Sequence, residues 1–125
     1  MFDFQRMLRP VDPVITVTET AYDVWRRAEF QFAERRYYDA ARNLEDLLAR
    51  DDVEDSQLRQ VRELLARSYF HSAQVNKAIE ASTDALELDP DNGYLMLLLG
   101  RSLERAGRRQ EAEKYIRLAD ALGVN

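Results

Sequence analysis

The sequence predicts an all-α protein: a solenoid of three antiparallel helix hairpins, preceded by a non-helical or partly extended N-terminal arm. Three observations carry this expectation. Ala78 and Ala112 stand 34 residues apart, as do Ala85 and Ala119, and the pattern reappears upstream at Ala40 and Leu47 with an offset of 38. Apolar residues around these anchors recur every three or four positions, the period of a helix that buries one face. Short breaks, DDVEDS at 51–56 and DPDN at 89–92, separate the periodic stretches. A fixed interval of this size marks stacked helical hairpins, each unable to bury its apolar face alone.

Residues 1–20 form the arm. Pro10 and Pro13 forbid a continuous helix there, while Phe2, Phe4, Met7, Leu8, Val11, Val14, Ile15 and Val17 make it too apolar for a solvated tail. The domain proper is expected over 21–125, with repeats at about 21–54, 57–90 and 93–124. Val24, Trp25, Ala28 and Phe32 set a helix over 21–35, and Ala40, Ala41, Leu44, Leu47 and Leu48 a second over 37–49. After the acidic loop, Ser56 is expected to cap a third helix at about 57–72, packed through Leu58, Val61, Leu65 and Tyr69. Ala78, Ile79, Ala85 and Leu86 predict a fourth at about 75–88. The fifth runs about 93–106 to Gly107, and the sixth about 110–122 to Gly123.

Composition narrows the function classes. The chain has 125 residues, the size of one domain, and no cysteine, which excludes disulfides, thiol catalysis and cysteine-based zinc sites. Its formal net charge of −5 opposes nucleic-acid binding. Lys77 and Lys114 are the only lysines, an arginine bias that reads as high-GC codon usage. No stretch reaches the ~18 apolar residues of a membrane span. Asp3, Gln5 and Arg6 interrupt any secretory signal, so a cytoplasmic location is expected.

The hairpin residues resemble the tetratricopeptide repeat, in a small bacterial type with about three repeats. The third unit supplies Met96, Leu99–Gly100, Leu103, Ala112, Ile116 and Ala119. The second supplies Leu65–Ala66, Tyr69, Ala78, Ala85 and Pro90, with Ser82 where a bulky residue is usual. The first is weaker: Ala28, Tyr37, Ala40, Leu44 and Leu47. The resemblance covers about 21–122 and implies a right-handed superhelical stack that binds a protein or peptide and catalyses nothing. The first helix of each hairpin would then line a groove. By position, that groove holds Tyr22, Trp25, Glu29 and Phe32, then Gln60, Glu63, Arg67, Phe70 and His71, then Tyr94, Leu97, Arg101, Glu104 and Arg105. Aromatic residues mixed with arginine suit a protein-binding surface, and a peptide with apolar anchors and some acidic groups would match it. The competing reading makes Trp25, Phe32 and Phe70 core residues in a phase shifted by one position. The lysine–asparagine clamp of chaperone-binding relatives is missing, because Trp25, Glu29, Glu63, Arg67, Leu97 and Arg101 occupy the corresponding places.

No metal, cofactor or catalytic group is implied. His71 is the only histidine, and Ser68 and Ser72 share its helical segment without an activating geometry. The stretch YLMLLL at 94–99 is apolar all round, as is much of the closing helix. A solenoid needs a polar cap, so Leu95, Leu98, Tyr115, Leu118 and Leu122 are expected on a face that another chain covers. That makes a homodimer, assisted by the arm, the alternative to an adaptor binding a peptide or protein partner.

Overall fold

Residues 19–125 are described by a computed structural model of the chain. The expectations for the arm fall mostly on residues 1–18 and lie outside it. Six helices follow one another: α1 Ala21–Ala33, α2 Tyr37–Ala49, α3 Asp55–His71, α4 Val75–Leu88, α5 Gly93–Arg105 and α6 Arg109–Ala121. No strand occurs among the described residues. Each helix packs on its neighbours in sequence, and α3 also touches α5, whereas α1 and α3 approach less closely. That is an open stack of hairpins and not a closed bundle.

Local chemistry sets the helix starts. Thr20 accepts the Asp23 N–H at 3.2 Å while its own N–H reaches the Asp23 carboxylate at 3.1 Å, closing a capping box at α1. Asn92 accepts from the Leu95 N–H at 3.1 Å and starts α5. The expected Ser56 cap is corrected: α3 begins at Asp55 behind Glu54, whose N–H donates to the Gln57 side chain at 3.3 Å. Gln57 reaches back to the helix entry in a way that Ser56, already inside the first turn, does not.

The three hairpin turns are copies of one another. Arg35 (φ 63°), Ala73 (φ 60°) and Gly107 (φ 79°) each adopt the left-handed conformation. In each turn the following N–H reaches back five residues: Arg36 to Gln31 O, Gln74 to Tyr69 O and Arg108 to Leu103 O, at 2.8–2.9 Å. Only the third carries the glycine that reveals such a turn in a sequence.

The core is continuous along the stack. Val24, Ala28, Leu44, Leu47, Val61 and Leu65 join the first hairpin to the second. Ala66, Ala85, Leu95 and Leu98 join the second to the third, and Leu99, Leu103 and Ala112 close the last. Small residues sit where backbones converge: a Cβ on Gly100 would lie 2.6 Å from Ile116 Cγ1 and 3.3 Å from Ala112 O. This arrangement corrects the proposed capping face. Leu95 and Leu98 are 1% and 5% exposed, because α5 is wedged against α3 and α4. Tyr115 packs on the Leu99, Leu103 and Ala112 cluster. Leu118 and Leu122 alone of the five stay open, at 42% and 54%.

Candidate protein-binding groove

Successive positions on α1, α3 and α5 face one side of the stack, so side chains that are far apart in sequence line one surface. Trp25, Glu29 and Phe32 of α1 line a groove with Gln60, Glu63, Leu64 and Arg67 of α3. Trp25 and Gln60 also line a cleft toward the helix starts, with Tyr22 and Gln57. Trp25, Phe32 and Phe70 are half-buried and pack on the core, and Trp25 and Phe32 also line the groove. Their placement is amphipathic, with one part of each ring on the core and the other toward solvent.

Arg67 ties the three hairpins together. Its guanidinium lies 4.6 Å from the Phe32 ring centroid of α1 and 5.5 Å from that of Tyr94 on α5. A cation over a ring face is drawn to the negative side of the π quadrupole. Arg105 lies 4.0 Å over Phe70 and donates to the Phe70 carbonyl at 3.2 Å, which links α5 back to the end of α3. Arg101 instead pairs with Glu104 on its own helix at 2.9 Å, and both remain exposed. Leu97 is half-buried on α5.

His71 occupies the turn end of the groove. Its ring stacks on Tyr37 at 4.8 Å and meets Phe32 and Phe70 edge-on at 5.8 and 5.5 Å. Partial burial, followed by the positive charges of Arg67 and Arg105, lowers its pKa below the usual imidazole value. Tyr37, which starts α2, belongs to this aromatic cluster although the expected lining came only from the first helix of each hairpin. The sequence carries no signal for it, since Arg35, two residues earlier, adopts its left-handed backbone without a glycine. Tyr22 stands well exposed, its hydroxyl accepting from Arg26 at 3.1 Å.

No helix among the described residues is long and apolar enough to cross a membrane. A tetratricopeptide repeat family model matches residues 69–124, the last turn of α3 through α6. No curated protein matches the sequence. Among solved structures, the fold is similar to that of MamA (AMB-1), with a TM-score of 0.74 at 20% identity over 83% of this chain. The chain spans 59% of that MamA chain. The sequence match over the last two hairpins, with the repeated turn geometry over all three, supports a tetratricopeptide-repeat protein.

Proposed function

We propose that the chain is a protein-interaction module that holds a peptide or protein partner in the groove of α1, α3 and α5, working as an adaptor in the cytoplasm without catalysis. One observation carries the reading: Trp25, Phe32, Phe70, Tyr94 and Arg67 stay partly or wholly exposed on one continuous surface. Large aromatic residues left half-covered beside arginine supply binding energy that a folding core would not leave unused. The test is the double variant Arg67→Glu with Arg101→Glu, compared with the wild type in pull-downs from the native host. Partners captured by the wild type should be lost from the variant while far-UV circular dichroism is unchanged. A partner retained at full affinity would move the site elsewhere.

A second reading, self-association, has Leu118 and Leu122 in its favour, since both stand open, on the last helix and at its C-terminal cap. Sedimentation velocity at tens of micromolar, with and without residues 1–17, separates the two. A monomer under both conditions removes the homodimer.

A further inference from the structure

In a chain with five more negative than positive charges, six of the fourteen described arginines pair with a carboxylate. Arg36 pairs with Asp39, Arg50 with Asp52 and Arg101 with Glu104, all local and at the surface. Arg67 and Arg105 have no carboxylate within salt-bridge distance among the described residues. Both rest on aromatic rings instead, and the buried Nε of Arg67 has no hydrogen-bond partner among the described residues. A guanidinium held over a ring still has the N–H groups of its plane to donate, and the ring limits the motion it would lose on binding. Carboxylates fit that planar fork with two parallel bonds.

We propose that the half of the groove between α3 and α5 takes an internal acidic segment of a protein partner, its side-chain carboxylates seated on Arg67 and Arg105. This deepens the groove reading above and rests on it. The two guanidiniums stand on different helices and different rings, so they call for separate carboxylates along a segment and not for one chain end. Direction follows from the other charges. Glu29 and Glu63 line the α1–α3 part up to Arg67 at its border and repel acid there, while Trp25 and Phe32 offer it apolar surface. The partner therefore lies with its apolar residues on the first hairpin and its acidic ones toward the third. With helices about 8–10 Å apart, roughly six extended residues cross from α1 to α5.

The probes are synthetic peptides, acetylated and amidated at their ends, with two leucines followed by four glutamates or by four glutamines. Two native reporters serve: Trp25 is the only tryptophan and His71 the only histidine. The glutamate peptide should shift Trp25 fluorescence and bind about tenfold or more tighter than the glutamine peptide, the range of charge-assisted hydrogen bonds. Arg67→Gln and Arg105→Gln should each shrink that difference, and Arg67→Lys, which keeps charge without the fork, should fall between. His71 should titrate at higher pH in the complex, because bound carboxylates offset the two arginines that depress it. Equal binding of the two peptides, with Trp25 responding to both, would overturn the acidic preference and leave the groove standing. Much tighter binding of a peptide with a free terminal carboxylate, or of single-stranded DNA, would overturn the internal acidic segment. If neither peptide moves Trp25 or His71 at millimolar concentration, the groove reading fails as well.

Discussion

Replacing Gly100 by alanine sets two effects of known size against each other. A glycine inside a helix is about 1 kcal/mol less favourable than alanine, so the change gains that much in the helix itself. Against it stands the space: the new methyl would lie 2.6 Å from Ile116 Cγ1 and 3.3 Å from Ala112 O and Ile116 N. Two of those three contacts are backbone of α6, which no rotamer change relieves, so the upper part of the usual 1–3 kcal/mol overpacking range applies. The net expectation is a loss of about 1–2 kcal/mol, or roughly 5–10 °C in Tm for a domain this size. Ile116→Ala alone should lose about 2 kcal/mol, being only half-buried. The double variant should lose less than the two together by at least about 1 kcal/mol, since the closest clash is gone. Urea unfolding followed by circular dichroism measures all four corners. Additivity within about 0.5 kcal/mol, or a stabilised Gly100→Ala, would refute the claim that this contact sets the glycine.

Ser82 is fully buried and its hydroxyl finds no partner among the described residues, whereas Ser68 and Ser102 donate to Leu64 O and Leu98 O at 2.8 Å. Ser82→Ala should therefore stabilise the fold by about 1 kcal/mol, and a loss in the same urea assay would contradict it. Ala73→Gly should gain about 0.5 kcal/mol, because relief of the left-handed backbone exceeds the added freedom of the unfolded chain. A destabilised variant would argue that the alanine is not strained. His71 should titrate below 6.5 by proton NMR, and Arg105→Gln should raise its midpoint. With the folded pKa below the unfolded one, the unfolded chain binds more protons in between, so stability falls as pH drops through 6.5 and flattens below the folded midpoint. A midpoint at or above 6.5 would show that burial and the two arginines do not depress this ring.

The alanine spacing made the hairpins legible, because close backbone approach admits only small residues and so leaves the same mark in each repeat. Helix bounds followed within two residues. The turn at Gly107 was readable for its glycine, but Arg35 and Ala73 adopt the same backbone with side chains that give no sign of it. Phase alone puts Trp25, Glu29, Phe32, Gln60, Glu63 and Arg67 on one face, and these side chains line one depression. What phase could not convey was which arginines find carboxylates and which lie on rings, a matter of side-chain reach across hairpins. The capping face was misjudged at Leu95, Leu98 and Tyr115 for a related reason. A helix apolar on all sides reads as open in the sequence, yet α5 meets α3, α4 and α6 together and is covered by them.

The looser approach of α1 to α3 has a consequence for how the molecule comes apart. In a linear array each unit leans only on the next, so the end with the fewest cross-connections frays first. Here that end carries Trp25 and Phe32, and Arg67 reaching over to Phe32 adds to their packing on the cluster of Val61, Leu64 and Leu65. A guest strand laid across all three hairpins would act as a clasp, raising hydrogen-exchange protection in α1 more than in α5 or α6. Occupancy would then be written in the order of the first helix, far from wherever the acidic residues sit.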